Sequence, residues 1–276
     1  MFGWGISDFF ANQASDSVGH RQTFFWSQIA GLILIVLTAV IMGANFIISP
    51  HLAPYILLAG IGYALGYLLF YKGFEIGNVS VVSAAINLQQ IFVIGISYFV
   101  FRQKLGAIQI PAIVLLILGV ILVSVDFSGI KMKGVTLVSG VKETLLSAVF
   151  FGIIFWPLNE YIVERTDWIS ATFYIKLTAI LTVLIIARVF NHELKLKSKA
   201  GNIVKVLISV GLLEAFAVIS VSYGQTYGDS IIISPIASAL TVVTVGLAMV
   251  FLKEKITKYQ GFGILLTIIG IIMMGL

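Results

Sequence analysis

The sequence contains no cysteine and few histidines, which removes several kinds of chemistry. Without cysteine, disulfides, thiolate metal sites and cysteine nucleophiles are excluded. The three histidines, His20, His51 and His192, lie far apart in predicted loops. A buried zinc or haem site therefore has almost no ligands to draw on. We expect no metal, no cofactor and no enzymatic activity.

Charge is also scarce, because only 11% of the 276 residues are charged. A soluble domain carries about 25% charged residues, and this chain could not cover a soluble surface. Its hydrophobic content of 59% and mean hydropathy of +1.08 indicate an integral membrane protein. The net charge of +5 comes from loop lysines and suits a lipid bilayer better than nucleic acid. The first residues contain no basic segment, so we expect no cleavable signal peptide and a multi-pass protein of the plasma membrane.

Ten apolar stretches approach the length that a helix needs to cross a membrane, about 20 residues for 30 Å. The first is short and interrupted by Asp8, Asn12 and Gln13, so nine spans is the main competing count. The connections are short and polar, and 128–133 and 191–199 are among them. The predicted spans are 1–17, 22–43, 53–75, 79–101, 107–125, 137–162, 168–190, 203–227, 231–252 and 258–276.

An internal repeat organises these spans into two halves, 1–127 and 134–276. A shift of 151 positions aligns 60–122 with 211–273 without a gap, and 13 of the 63 pairs are identical. A slightly smaller shift, 147, places Gly5 and Asn12 opposite Gly152 and Asn159. The identical pairs in the longer alignment include Gly60/Gly211, Ala64/Ala215, Gly73/Gly224, Gly77/Gly228, Ser83/Ser234, Gly95/Gly246, Lys104/Lys255, Gln109/Gln260 and Gly119/Gly270.

Five spans in each half predict an all-α fold of ten transmembrane helices in two inverted five-helix repeats. An odd number of spans per repeat forces the two halves into opposite orientations. Inverted repeats of this kind are typical of secondary transporters, whose substrate site lies near the midplane where the halves meet.

The chain resembles the drug/metabolite transporter superfamily, in its ten-helix EamA group. The resemblance rests on Trp4-Gly5-Ile6-Ser7-Asp8-Phe9 and Gly77-Asn78-Val79-Ser80, and on the loops Arg102-Gln103-Lys104-Leu105 and Lys253-Glu254-Lys255-Ile256. It extends over nearly the whole chain, although the first helix here is shorter than in the family. It implies a central cavity and movement of small metabolites by alternating access, without naming the substrate.

A polar stripe recurs in the fourth and ninth spans. Ser83, Asn87 and Gln90 are spaced by four and three residues and share one helix face. Adding 151 gives Ser234, Ser238 and Thr241. Both stripes can line a common cavity and bind substrate. Hydrogen bonding between helices is the alternative.

The third span carries Tyr63, Tyr67 and Tyr71 at steps of four residues. Tyrosine hydroxyls at membrane depth need partners, so Tyr63 and Tyr67 are candidates for a wet cavity wall. Tyr71 lies near the helix end, where an interfacial aromatic belt is the alternative.

Ionisable residues inside spans are costly and mark function by default. Glu214, in the eighth span, and Asp8, in the first, are candidate proton-coupling groups. Lys176, in the seventh span, can pair with either acid, bind a substrate carboxylate or extend to the interface.

Membrane orientation stays open. The odd-numbered loops and their flanks hold thirteen lysines and arginines against three in the even-numbered loops. The positive-inside rule then places both termini outside, whereas the family resemblance implies cytoplasmic termini.

These observations favour a secondary transporter of small polar or amphipathic metabolites, with amino-acid-like solutes first and proton coupling as a hypothesis. A phosphorylated substrate would need several buried basic residues, and Lys176 is the one mid-span candidate. A channel, a non-transporting scaffold and an intramembrane enzyme built on Asp8 and Glu214 are the alternatives. The oligomeric state is open.

Overall fold

The computed structural model describes residues 1–104, 106–126, 136–196 and 201–274. Within them the fold is helical apart from two short antiparallel strands, β1 (Val125–Asp126) and β2 (Thr136–Leu137). Leu105, the predicted connection 128–133, the boundaries of the predicted repeats at 127 and 134, Lys197, Lys199 and the last two residues of the tenth predicted span lie outside the described residues.

The apolar stretches of the sequence form the helices. In chain order these are α1 (Phe2–Val18), α2 (His20–Met42), α3 (Ala53–Ile76), α4 (Val79–Ala85), α5 (Gln89–Phe99), α6 (Gln109–Ser124), α7 (Val141–Val149), α8 (Trp156–Val163), α9 (Trp168–Val189), α10 (Gly201–Gln225), α11 (Ser230–Ser238), α12 (Leu240–Leu247) and α13 (Lys258–Met274).

Seven helical stretches of the described chain are long and apolar enough to cross a membrane. Helices α1, α6 and α13 have 17, 16 and 17 residues and reach only about 25 Å at 1.5 Å per residue. The ten-span count therefore stays a prediction. The seven stretches are His20–Met42, Pro50–Ile76, Val79–Phe99, Val141–Val163, Trp168–Val189, Gly201–Gln225 and Ser230–Leu252.

Two of these stretches, Val79–Phe99 and Ser230–Leu252, are interrupted, and a third, Val141–Val163, contains a π-helical turn. A 3₁₀ turn at Ile86–Leu88 separates α4 from α5, and Ala239 separates α11 from α12. A π-helical turn at Phe150–Phe155 joins α7 to α8. The side-chain amide of Asn87 donates to the carbonyl of Ser83 at 2.9 Å, and Pro235 has no backbone amide to give. Asn87 thus competes with the backbone at the first break, and Pro235 leaves the carbonyl of Ile231 without its helical partner one turn before the second.

Glycines bring α6 and α13 into close contact. A Cβ on Gly119 would lie 2.7 Å from the carbonyl oxygen of Gly263, and one on Gly270 would lie 2.9 Å from that of Ala112. Large apolar side chains face outward elsewhere, as at Ile41, which is 82% exposed. Such a surface is compatible with lipid and not with water.

Candidate functional site

A cavity of about 40 Å³ lies where the interrupted helices meet α1 and α3. One water molecule needs roughly 10–15 Å³, so the cavity has room for a few waters or one small head group. Six of its twelve lining residues are aromatic. The residues that line it are Trp4, Asp8, Tyr67, Phe70, Ile86, Gln89, Phe151, Phe155, Trp156, Ala237, Ser238 and Leu240.

Both helix breaks contribute to this cavity. Ile86 and Gln89 flank the break between α4 and α5, whereas Ser238 and Leu240 flank the break between α11 and α12. Irregular backbone at membrane depth is tolerated only where it is buried in protein or lines a cavity. The interruptions thus lie where polar backbone groups are close to the cavity and to a ligand bound in it.

The π-helical turn places two phenylalanines in the wall. Phe151 and Phe155 both come from this turn and line the cavity. The ring of Phe151 lies 5.0 Å from that of Tyr67 between centroids. The neighbouring Gly152 permits this position, because a Cβ there would lie 2.7 Å from the carbonyl oxygen of Gln89. Single π-helical turns of this kind are frequent at functional sites.

Asp8 supplies the formal charge of the cavity. Its side chain is 2% exposed, and its Oδ1 atom has no hydrogen-bond partner within the described part of the chain. A buried carboxylate is costly unless a positive group, hydrogen-bond donors or a proton compensate it. This makes Asp8 a candidate for binding a cation or a proton.

Glu214 is buried as deeply but is fully engaged. Lys176 pairs with its Oε2 atom, and the hydroxyl of Tyr63 donates to Oε1. Gln28 connects the pair, because its amide oxygen accepts from Lys176 at 2.7 Å and its amide nitrogen lies 3.5 Å from Glu214 Oε2. The ring of Tyr63 packs 4.9 Å from that of Phe155. This four-residue cluster lies behind the aromatic wall.

The two polar stripes bond chiefly to each other. Asn87 donates to the hydroxyl of Thr241 at 2.7 Å, and Thr241 donates to the carbonyl of Ser83 at 2.9 Å. In the other direction, Gln90 donates to the hydroxyl of Ser238. The hydroxyl of Ser234 donates to the amide oxygen of Gln90 at 2.8 Å. These contacts join α4 and α5 to α11 and α12. They correspond to the alternative interpretation of the stripes, hydrogen bonding between helices.

Three of the eleven predicted site residues therefore line the cavity: Asp8, Tyr67 and Ser238. Tyr63, Lys176 and Glu214 form the cluster behind it, and the other five belong to the bonds between the interrupted helices. Gln89 and the five aromatic residues of the wall other than Tyr67 were not predicted as site residues. Two features of the sequence could have pointed to them. Gln89 is adjacent to the predicted residue Gln90, and Phe151 and Phe155 are four residues apart, on one helix face.

Carboxylates cap the N-terminal ends of the two broken helices, at the start of α4 and of α11. The Glu254 cap accepts from the amides of Val79 and Ser80, at 2.6 and 2.9 Å, where α4 begins. The Gln103–Glu160 cap lies where α11 begins. There Glu160 accepts from the amide of Ser230 at 2.9 Å.

Gln103 completes the second cap. It accepts from the amide of Ile231 at 3.2 Å and donates to Glu160 at 2.7 Å. Negative or acceptor groups at a helix N-terminus satisfy its free amides and its dipole. Both interrupted helices are thus held at their first residues by a group from elsewhere in the chain.

A family model described as the EamA-like transporter family matches residues 1–125 and 138–276. The chain belongs to the EamA-like transporter family. It is accordingly a multi-pass membrane protein of a family of transporters, which is in accord with its apolar helices. The family resemblance inferred from the sequence motifs is confirmed.

Two individual proteins are similar to this EamA-like chain. An uncharacterized protein of Methanocaldococcus jannaschii is 30% identical over 135 residues, which are 48% of this chain and 93% of the relative. The relative is therefore about half as long. A crystal structure with 14% sequence identity covers 98% of this chain and 94% of its own, with a TM-score of 0.69. That likeness concerns the fold alone.

Proposed function

We propose that the protein is a secondary transporter that carries small polar or amphipathic metabolites by alternating access. The observation that carries the proposal is the cavity between the two interrupted helices, with the unpartnered carboxyl of Asp8 in its wall. In this proposal ten helices form two inverted repeats of five, 1–127 and 134–276, in the plasma membrane.

Contacts that exchange under the repeat shift support the inverted arrangement. Adding or subtracting 151 turns the Asn87–Thr241 pair into Ser238–Gln90, and both pairs are hydrogen-bonded. The same shift exchanges the two glycine contacts between α6 and α13. A pseudo-twofold axis between the halves accounts for such reciprocity.

The caps obey the same rule and suit alternating access. The shift relates Glu254 to Gln103 and relates the amides of Val79 and Ser80 to those of Ser230 and Ile231. An inverted repeat puts the two caps at opposite ends of the membrane. Release of one cap while the other holds would open the cavity to one side at a time.

Amino-acid-like solutes are the first class to test. Asp8 offers a counter-charge for an ammonium group, and the aromatic wall offers a surface for an apolar side chain. Asp8 is also the preferred proton-coupling group, because a proton and a cation can each neutralise its carboxyl. Glu214 already shares its charge with Lys176.

The test is uptake into proteoliposomes of a pool of amino acids and other metabolites, with and without an inward proton gradient, read by mass spectrometry. We expect one compound class to accumulate with the gradient. Asp8→Asn should abolish the accumulation. Asp16→Asn makes the same chemical change on the same helix at an exposed position and should leave it intact.

Other outcomes would revise the proposal in defined ways. Loss of gradient dependence in Glu214→Gln alone would move the coupling to that residue. If the solute equilibrates to the same extent with and without the proton gradient, the protein is a facilitator without proton coupling. Absence of flux for every compound would overturn the transport function in favour of a scaffold, and conductance far above transporter turnover would favour a channel.

The intramembrane enzyme is the weakest alternative. It depended on a free pair of carboxyls, Asp8 and Glu214. The oxygens of Glu214 are bonded to Lys176, Gln28 and Tyr63, which leaves this residue poorly placed as an acid or base.

A further inference from the structure

We infer that the cavity selects a small organic cation, an ammonium head group seated against Asp8, over zwitterions and anions. This inference rests on the proposed transport function and concerns the same cavity. Among small polar or amphipathic metabolites, it ranks solutes that carry a positive charge without a carboxylate ahead of amino acids.

The balance of charge around the cavity is the first argument. Among the described residues that line it, Asp8 is the one with a formal charge. The nearby buried cation, Lys176, is bonded to Glu214 and Gln28. A carboxylate on the solute would thus enter a water-poor space without a positive partner, which is strongly unfavourable.

The neutral polar residues of the wall do not alter this balance. Gln89 and Ser238 line the cavity, and the Ser238 hydroxyl already accepts from Gln90. Either group can bond a hydroxyl or an amide of the solute, but neither supplies a positive charge. A solute that leaves the cavity neutral overall therefore carries a single positive charge.

The aromatic wall is the second argument, and it is independent of Asp8. Six aromatic rings line the cavity, those of Trp4, Tyr67, Phe70, Phe151, Phe155 and Trp156. The rings of Trp4 and Trp156 lie 6.2 Å apart between centroids. Faces of such rings attract ammonium groups, and cages of this composition recognise quaternary ammonium ligands.

Cavity size sets the scale of the head group. A volume of about 40 Å³ admits a group about as large as a few waters. An ammonium or methylated ammonium head fits this description. A longer apolar body would require one of the two caps to open.

Tryptophan fluorescence provides a direct test of binding. Of the four tryptophans, Trp4 and Trp156 line the cavity, so Trp26→Phe and Trp168→Phe together give a background that reports on it. The purified full-length protein would be titrated with three probes that share a phenyl group. They are benzyltrimethylammonium, phenylalanine and 3-phenylpropionate, which are a cation, a zwitterion and an anion.

We expect benzyltrimethylammonium to bind most tightly and 3-phenylpropionate least. Asp8→Asn should weaken binding of the cation by at least about tenfold. Asp8→Glu keeps the charge and should keep cation selectivity, and Asp16→Asn should bind as the parent does. Thermal unfolding of each variant shows that it is folded.

Two results would overturn the inference. One is phenylalanine binding as tightly as the cation, and the other is full-strength cation binding by folded Asp8→Asn. If an amino acid accumulates in proteoliposomes while the cation does not bind, the inference fails and the transporter stands. If the cation binds through Asp8 but no solute crosses the membrane, transport fails and the site stands.

Discussion

Asp8 and Glu214 are both buried in the helical bundle, and their surroundings differ completely. Glu214 has both oxygens bonded by Lys176, Gln28 and Tyr63. Asp8 lines the cavity with an oxygen that has no partner in the described chain. Burial alone suggested the same role for both residues. Their hydrogen-bond partners suggest different roles: Glu214 stabilises the packing of the helices, and Asp8 is available to a ligand.

The repeat sharpens this contrast. Tyr63 and Glu214 are 151 positions apart, so they are equivalent positions that meet each other. By the shift of 147 that relates Gly5 to Gly152, the equivalent of Asp8 is Phe155, which lies in the same cavity wall. The ion-pair cluster therefore lies between the halves, whereas the free carboxyl belongs to one half.

The largest effect on stability is expected from Lys176→Met. This change leaves the Glu214 carboxylate buried without its cation, which typically costs about 3–5 kcal/mol. The double variant Lys176→Met/Glu214→Gln should recover most of the loss. Asp8→Asn should unfold at or above the parent midpoint, because it removes a charge that has no protein partner. Unfolding in detergent, followed by circular dichroism, measures all three.

A loss of stability in Asp8→Asn as large as that in Lys176→Met would contradict the comparison. It would mean that Asp8 has a structural partner. A double variant no more stable than Lys176→Met would instead show that the packing of the lysine stem matters more than the ion pair.

A smaller effect is expected from removing one hydroxyl. Tyr63→Phe deprives Glu214 of a donor and should cost about 1–3 kcal/mol. Tyr67→Phe is the matched control, one turn further along α3, where the side chain lines the cavity. It should change solute affinity and leave the unfolding midpoint nearly unaltered. Equal midpoints for both variants would show that the Tyr63 hydroxyl contributes nothing to the cluster.

The smallest effect is expected in the polar stripes. Thr241→Val removes bonds between the interrupted helices that are worth about 0.6 kcal/mol each in membrane proteins. It should lower stability slightly and leave KM for uptake unchanged. Ser238→Ala, on the cavity side, should change KM. A large change in KM in Thr241→Val would instead indicate that the polar stripe contacts the substrate.

The sequence predicted much of the helical layout, because apolar runs bounded by charge dictate membrane helices. The third span, predicted at 53–75, is the helix Ala53–Ile76, and Tyr67, which the tyrosine spacing predicts for a cavity wall, lines the cavity. The break at Ile86–Leu88 was not predicted, since Ile, Asn and Leu can all continue a helix. The weaker bonding there depends on Asn87 turning back to its own backbone.

The site was harder to predict than the fold. Glu214 and Asp8 look alike in a sequence, and the difference depends on which helices approach them. Lys176 and Gln28 are 148 positions apart in sequence and come together only through packing of the helices. The phenylalanines of the wall were equally hard to predict, because phenylalanines at helical spacing usually fill a core.

The two caps differ in the chemical groups that form them. A twofold assembly of identical halves would have to close both ends with the same residue. Here one end is closed by a carboxylate on a loop, Glu254, and the other by an amide, Gln103, backed by a carboxylate on α8, Glu160. With both halves in one chain, each end can have its own capping residues and, in the proposed transport cycle, its own opening rate. In the proposed carrier, different opening rates at the two ends would give entry and exit different KM values, while the electrochemical gradients still set the direction of net movement.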